Sequence, residues 1–421
     1  MEILNRFLSG IIMPTLLIAL GIFFAMKLKF FYILHPVNTI RTMIKNQKGG
    51  FRSLTVALAG TLGVGNIVGV ASAILMGGAG SIFWMWISAL CAMSLKYAEV
   101  YLSMIYRKSK NGQFYGGAPY YIKDGLKNKL GFKGSYALSC MFAFLCVINS
   151  LTTGNLVQIN SVSNLLPISP LTFGIIFTFL AFLAIIGGIK RISKITSVLI
   201  PVLSITYILV CLIALFMNFG KIPNMITLIF KDAFSFKCAA GGFCGYGISA
   251  SLRYGVSRGV LSNEAGCGTS PCAHASSDSN SPHGQGCLGI FEVFVDTVVL
   301  CSLTAFVVLL SGITDVSSPM ELVLSAFEKY LGGFGASVVL ILCVLFAFAT
   351  VICQFFYGIE SLSYLTKKWV GKRVFTLVFC GVLLIGSVIP MDLMWQISDL
   401  AIAVMTILNL ICLFLLRKCI I

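Results

Sequence analysis

Charge is what this sequence has least of. Only 10% of its 421 residues are charged and only 14 are acidic, whereas 58% are hydrophobic and the mean hydropathy is +0.97. That balance excludes an ordinary soluble domain and leaves a polytopic membrane protein. With so few acids and only 3 histidines, the clustered catalytic or metal-binding groups that a membrane enzyme acting on a lipid or isoprenoid needs are also lacking. No CxxC pair occurs. Of the 15 cysteines, Cys91, Cys140, Cys146, Cys211, Cys301, Cys343 and Cys412 lie inside apolar runs, where a thiol packs as a small residue. A soluble signalling domain or long tail, which a transporter-like sensor would need, is not expected either.

What is present is a series of apolar runs. Stretches of about 20 residues fall at Ile11–Phe30, Leu54–Met76, Ser81–Ile105, Tyr136–Gln158, Leu171–Ile186 and Val198–Met217. The series continues with an interrupted region within Gly241–Ser276, then Cys287–Leu310, Val338–Leu362, Val374–Ile389 and Met394–Leu416, which makes eleven spans. The first follows Arg6 and lacks a small-residue cleavage site, so it reads as a retained helix and not a signal peptide.

The net charge of +16 sits in the loops and reports topology, not a polyanion partner, so no nucleic acid is expected. Lys27, Lys29, Arg41, Lys45, Lys48 and Arg52 share the first loop; Arg107, Lys108, Lys110, Lys123, Lys127, Lys129 and Lys133 share the third. Lys190, Arg191 and Lys194 mark the fifth, Lys367, Lys368, Lys372 and Arg373 the ninth, and Arg417 and Lys418 the end. The positive-inside rule then places the N-terminus outside and the C-terminus in the cytoplasm. The loop with Lys221, Lys231 and Lys237 is the basic exception among the even-numbered ones, and its Pro223–Phe234 part reads as an external amphipathic helix.

Two spans are interrupted. The first break is Gly60-Thr61-Leu62-Gly63-Val64-Gly65-Asn66-Ile67-Val68-Gly69-Val70, and the second runs from Ser257 to Pro271 through Ser262-Asn263-Glu264-Ala265-Gly266-Cys267-Gly268. Irregular backbone at membrane depth survives only where protein buries it or a polar cavity borders it. The two G-x-G steps lie five spans apart, so their segments cross in opposite directions, as in inverted-topology repeats whose broken helices meet near the midplane. Tight packing of Gly-rich helices is the plainer alternative. Asn66, Asn263 and Glu264 tell against it, because polar and ionisable groups at that depth are costly and usually functional. Half-helix N-termini suit a carboxylate, freed carbonyls suit a cation, and glycine lets a small zwitterion sit against bare backbone.

Other polar residues read more plainly. Glu292 and Asp296, at i,i+4, share a face and read as carboxylates where the eighth span enters, near the headgroups or paired to Arg, with cation binding or a proton relay as the alternative. Lys96 and Glu99 read as a structural pair at i,i+3. Arg253 and Arg258 flank the second break and either attract a carboxylate or close a gate by pairing with acids. His274 follows the break on the cytoplasmic gate side, while His35 and His283 read as loop residues with no metal-site spacing.

From Gly60 to Arg107, with Phe83-Trp84-Met85-Trp86 and Lys96-Tyr97-Ala98-Glu99, then at Gly116-Gly117-Ala118-Pro119-Tyr120-Tyr121, Gly154-Asn155-Leu156-Val157-Gln158 and Arg253–Ala275, the chain resembles the alanine/glycine:cation symporter (sodium:alanine symporter) family of the amino acid/polyamine/organocation superfamily. That resemblance implies an all-α polytopic membrane protein of 11 helices: one extra N-terminal helix, then a leucine-transporter-type 5+5 inverted repeat. Residues 1–50 would hold the extra helix and its loop, 51–220 the first repeat and 221–421 the second, in a single transporter domain. It implies substrate contacts at Thr61, Gly63, Gly65, Asn66, Gln158, Asn263, Glu264, Gly266 and Gln354, and a sodium site at Gly60 and Thr350. The chain departs from the family pattern at Ala349, where a second hydroxyl is common, at Gln354, where tryptophan is common and pocket size and substrate choice would change, and at Val64, Gln396 and Ile402; Asp399 is kept. The expected function is sodium-coupled import of alanine or glycine, with a proton-coupled or differently selective permease as the alternative. No cofactor beyond the coupling ion and no obligate protein partner is expected, and the lipid surroundings would be a bacterial inner membrane.

Overall fold

A computed structural model describes residues 2–45, 47–110, 112–163, 165–234, 250–316, 318–366, 368–389 and 391–420. Lys237 and the part of the seventh predicted span before Ala250 lie outside the described residues. Among the described residues, eight helices are long and apolar enough to cross a membrane, and nine when one bent pair is taken as a single span. They are α1 (Leu8–Lys27), the pair α2 (Gly49–Thr61) and α3 (Val64–Gly77), α4 (Ser81–Ile105), α5 (Lys127–Ser163), and, beyond α6 (Pro170–Ile186), a 17-residue apolar helix, α7 (Gly188–Phe216). After α8 (Ile222–Ala233) the chain forms α9 (Ala250–Asn263) and α10 (Pro271–Ala275), separated by irregular backbone, and then α11 (Pro282–Ser311), α12 (Pro319–Leu365), α13 (Trp369–Gly386) and α14 (Met391–Leu415).

These positions follow the apolar runs closely, and the differences have local causes. Helix α5 begins at Lys127, ahead of Tyr136, because a helical turn precedes a kink at Gly131, whose φ of +70° glycine tolerates. Helix α12 begins at Pro319 for the same reason: Ser318 caps it by accepting from the Glu321 amide, and the chain kinks at Gly332 with φ +67°. The segment expected as an amphipathic helix over Pro223–Phe234 is α8, within one residue of those limits. A short hairpin, β1 (Lys108–Lys110) antiparallel to β2 (Gln113–Tyr115), occupies part of the third basic loop.

Helix α4 is the most buried of the long apolar helices and packs against α1, α9 and α11. Close approach is what its neighbours' glycines provide: a Cβ at Gly255 would collide with the Ser81 carbonyl oxygen, and one at Gly21 with the Cys91 side chain. The Gly21 carbonyl accepts the Ser94 hydroxyl at 2.7 Å. Large apolar side chains such as Phe179, Val198, Phe216 and Leu377 are exposed, which matches lipid as the solvent and would be a liability in water.

Candidate substrate and ion site

The first break bends the chain by 61° between α2 and α3. Gly63 is extended (φ −129°, ψ −157°), and Val64–Asn66 forms a single tight turn before α3 resumes. Side chains serve the backbone groups this frees, as burial demands. The Gly63 amide donates to Asn66 Oδ1 (3.1 Å), the Val64 amide to Gln158 Oε1 (3.1 Å), and Thr350 Oγ1 donates to the Leu62 carbonyl (3.2 Å). Thr304 Oγ1 donates to the Asn66 carbonyl at 2.9 Å. A Cβ on Gly63 would lie 2.6 Å from Thr350 Oγ1 and 2.7 Å from Gln158 Oε1, so only glycine fits there.

The second break starts at Glu264, a non-glycine residue in the left-handed region (φ +48°), and passes through Gly266 (φ +83°) and Gly268 (φ +77°). A left-handed glutamate costs about 1–3 kcal/mol and persists only where its surroundings hold it. They do so here. Glu264 Oε1 accepts from Gln354 Nε2 (2.7 Å) and Oε2 from Thr269 Oγ1 (2.5 Å), and Asn263 Oδ1 accepts the Ala265 amide (2.9 Å). On the far side, Glu99 Oε1 accepts the Gly268 amide (2.8 Å) and Asn409 Nδ2 (2.5 Å), while the same Asn409 amide donates to the Gly266 carbonyl (2.9 Å).

Between the two breaks lies a small cavity lined by Gly60, Thr61, Gly65, Gln158 and Glu264, with Thr153, Val157, Leu261 and Trp395 completing it. About 10 Å³ of it is open to the centre of a water molecule, room for one water and less than an amino acid needs. Five of the expected site residues therefore meet at one place. Thr153, Val157, Leu261 and Trp395 were not among them, although the polar run Thr152-Thr153-Gly154-Asn155 inside an apolar span was a readable signal; it forms a wide turn in α5.

The other expected residues stand behind this surface. Gln354 holds Glu264 and also approaches the Gly60 carbonyl (3.3 Å); Gly266 packs toward Leu410. Thr350 faces the Leu62 carbonyl, so the observed hydroxyl and carbonyl pair at the end of α2 is Thr350 with Leu62, while Gly60 is met by Gln354. Asn66 and Asn263 turn to α11: Asn66 Nδ2 donates to Asp296 Oδ1 (2.7 Å), and Asn263 Nδ2 to Thr297 Oγ1 (3.1 Å). Ala349 is buried and adds no hydroxyl.

Two readings of charged residues are corrected by these contacts. Lys96 does not take Glu99 as its hydrogen-bonded partner; its Nζ lies 2.8 Å from Ser270 Oγ and 3.2 Å from Glu292 Oε1, and His274 Nε2 sits 3.1 Å from Glu292 Oε2. Glu292 and Asp296 are fully buried and not at a headgroup entrance, because the face they share on α11 is turned to α4 and the two breaks. Of the two arginines, Arg258 pairs with Asp399 (3.0 Å) and lies 4.6 Å above the Trp395 ring, beside the cavity. Arg253 stacks on Tyr254.

Long apolar helices, two interruptions facing each other across a polar cavity, and carboxylates buried at the breaks define an α-helical membrane transporter. The chain belongs to the sodium:alanine symporter family, whose model matches residues 1–421. It is 35% identical to "Sodium/alanine symporter AgcS" of Methanococcus maripaludis over 98% of this chain and 93% of that protein. It is 33% identical to "Probable sodium/glutamine symporter GlnT" of Bacillus subtilis (99% and 87% covered) and 33% identical to "Putative sodium/proton-dependent alanine carrier protein YrbD" of the same organism (96% and 87%). Among solved structures, a manganese transporter of Eremococcus coleocola superposes with a TM-score of 0.55 at 12% identity, covering 89% of this chain and 78% of that one. A Na+-coupled sialic acid symporter in a substrate-bound outward-open state gives 0.50 at 11% identity (99% and 82% covered). At such identities the likeness is one of fold.

Proposed function

We propose that this chain imports a small neutral amino acid, alanine or glycine, together with sodium, by alternating access around its two broken helices. The observation that carries this reading is the cavity between the breaks, where bare backbone at Gly60 and Gly65 faces the Glu264 carboxylate. The start of α3 is the positive end of a helix dipole and suits the substrate carboxylate, while Glu264 suits the ammonium. Thr61, Gly63, Asn66, Gln158, Asn263, Gly266 and Gln354 would shape or support that site. Sodium would sit at the carbonyl end of α2, among Gly60, Leu62 and the Thr350 hydroxyl.

The same reading takes α6 and the α9–α10 pair as spans, which with the nine gives eleven: an N-terminal helix within 1–50 and two five-helix repeats, 51–220 and 221–421. Basic loops put the N-terminus outside and the C-terminus in the cytoplasm of a bacterial inner membrane. The Arg258–Asp399 pair would then close the outer side of the cavity, and the Lys96–Glu292–His274 group the inner side.

Uptake of labelled alanine and glycine into proteoliposomes tests this. Accumulation under an inward sodium gradient is expected; accumulation driven only by a proton gradient would remove the sodium assignment. A second reading, a different side-chain preference, draws on Gln354, whose amide reaches both Gly60 and Glu264. Competition by unlabelled glutamine, stronger than by alanine, would favour it.

A further inference from the structure

Between Glu2 and Glu99 the sequence has no acidic residue, yet Lys27, Lys29, Arg41, Lys45, Lys48 and Arg52 crowd the segment that joins α1 to α2. Lys29 and Phe30, both left-handed (φ +51° and +49°), turn the chain at the end of α1. That conformation is costly for a residue with a Cβ, and two hydrogen bonds hold it: the Lys29 amide donates to the Met26 carbonyl (2.9 Å) and the Phe30 amide to the Ala25 carbonyl (2.8 Å). The next residues face two ways. Phe31 lies edge-on to Tyr97, with ring centroids 5.4 Å apart, and Tyr32 Oη donates to the Leu90 carbonyl (3.0 Å), whereas Ile33 and Leu34 are exposed.

A helix then runs from Pro36 to Lys45. Its period puts Thr39 and Met43 on one side and Val37, Ile40 and Ile44 on another, with Arg41 and Lys45 along the edge of the second. Thr39 is buried and Met43 packs on the core, so the first side is docked, against Pro282–Val293 at the start of α11. Val37, Ile40 and Ile44 are 60%, 52% and 57% exposed, and Arg41 and Lys45 are exposed beside them. Lys27 ends one span and Pro282 begins another. A helix that leaves the first and rests on the second therefore stands at the level where bilayer meets water. Facing water, an apolar stripe is a liability; at a membrane surface it is an anchor that sinks about 5–10 Å into the boundary between headgroups and acyl chains.

We infer that the helix Pro36–Lys45, led by Ile33 and Leu34, is an interfacial arm that binds the anionic headgroups of the surrounding bilayer. Val37, Ile40 and Ile44 enter the leaflet, while Arg41 and Lys45 meet lipid phosphates at its rim. Charge complementarity selects anionic lipid: the stripe is edged by cations in a stretch of sequence free of acids, and each such cation near an anionic surface is worth about fivefold in partitioning. Asp278 comes beside the segment past the end of the helix, at Gly49. The arm is more than a tether. A Cβ at Gly49 would lie 3.1 Å from the Ser279 amide nitrogen, and Ser53 Oγ donates to Gln285 Oε1 at 3.4 Å, so the arm passes directly into α2 while it rests on α11. Headgroup binding thereby acts on the helix that carries the first break and on the helix that carries Glu292. The inference rests on the placement of the spans and holds whichever amino acid or ion is carried; in the topology proposed above the leaflet is the cytoplasmic one.

The test places the fluorophore NBD on the full-length protein in nanodiscs of phosphatidylcholine, with or without phosphatidylglycerol. It is attached through Ile40→Cys on the apolar stripe or Asn38→Cys on the polar side, in a Cys419→Ser background, because Cys419 is the exposed thiol among the described residues; the background protein alone serves as the blank. Lipid carrying a doxyl group near the headgroup is expected to quench the Ile40 label about threefold more than the Asn38 label, and aqueous iodide to show the reverse order. Phosphatidylglycerol is expected to strengthen lipid quenching at Ile40 in low salt, and added salt, or Arg41→Gln with Lys45→Gln, to remove the increase. Equal lipid quenching at the two positions would overturn the inference. So would an Ile40 label shielded from both quenchers, the sign of a protein partner or a second copy on the stripe, and so would a lipid response indifferent to phosphatidylglycerol and salt. Should Ile40→Cys not fold, Ile44→Cys takes its place with the same expectations. Nanodiscs expose both membrane faces, so the result does not depend on which way the N-terminus points. Failure of the amino-acid reading registers separately, as absence of uptake in proteoliposomes with the quenching pattern intact.

Discussion

Lys96 Nζ lies 3.2 Å from a Glu292 oxygen across the contact between α4 and α11, with both side chains fully buried. The ion pair is completed by Ser270 on one side and His274 on the other, so it fixes α10 and the turn before it to two long helices. Its energetic role follows from what burial does to ions: breaking such a pair from one side strands a charge, whereas removing both partners does not.

Lys96→Met or Glu292→Leu alone is therefore expected to destabilise the protein by about 3–5 kcal/mol, and the double variant to recover most of that loss. Thermal unfolding of the detergent-solubilised variants measures it. Losses in the double variant equal to the sum of the two singles would contradict a coupled pair.

The glycines of the first break give a graded series. A Cβ at Gly65 would come no closer than 3.5 Å to Ser262, ordinary contact distance, whereas at Gly63 it would meet Thr350 and Gln158. Gly65→Ala is expected to retain uptake, Gly65→Leu to fill the cavity and abolish uptake while the protein still folds, and Gly63→Ala to lower thermal stability as well. Uptake assays paired with size-exclusion profiles separate these outcomes. Full uptake in Gly65→Leu would exclude Gly65 from the substrate path.

Much of the architecture could be read before any coordinates. The span Ser81–Ile105 is found at the expected limits, and both interruptions fall where glycine and polar residues break the apolar pattern. Periodicity reports neighbours on one helix, which is why Glu292 and Asp296 were placed on a common face. It says nothing of what that face meets. Lys96 and Glu292 are 196 positions apart, and only the packing of α4 on α11 reveals that this pair prevails over Lys96 with Glu99. Likewise Asn66 and Asn263 were legible as polar groups at depth, but their direction, toward Asp296 and Thr297 and away from the cavity, depends on where α11 passes.

Thr350 anchors the end of α2 through the Leu62 carbonyl. Thr350→Val keeps the shape and removes the oxygen, and is expected to raise the sodium concentration for half-maximal uptake about three- to tenfold, the worth of one such interaction. Thr350→Ser should stay near the unaltered value. Sodium titration of initial uptake rates provides the comparison, and an unchanged ion dependence in Thr350→Val would show that this hydroxyl is not a ligand.

The Arg258–Asp399 pair covers Trp395, which itself lines the cavity. Only a minor fraction of either side chain is exposed, 9% and 19%, so the pair is poorly screened and worth more than a surface bridge. Its guanidinium also stacks over the indole, a contact a lysine reproduces poorly. Arg258→Lys should keep part of the closure and Asp399→Asn should weaken it, leaving Trp395 more accessible. Quenching of tryptophan fluorescence by iodide reads this without transport, once Trp84, Trp86 and Trp369 are replaced by phenylalanine. A double-mutant cycle with Arg258→Ala and Asp399→Ala is expected to give a coupling of about 0.5–3 kcal/mol. Strict additivity would mean that the two residues close the cavity independently, and that the ion pair is not what holds Trp395 in place.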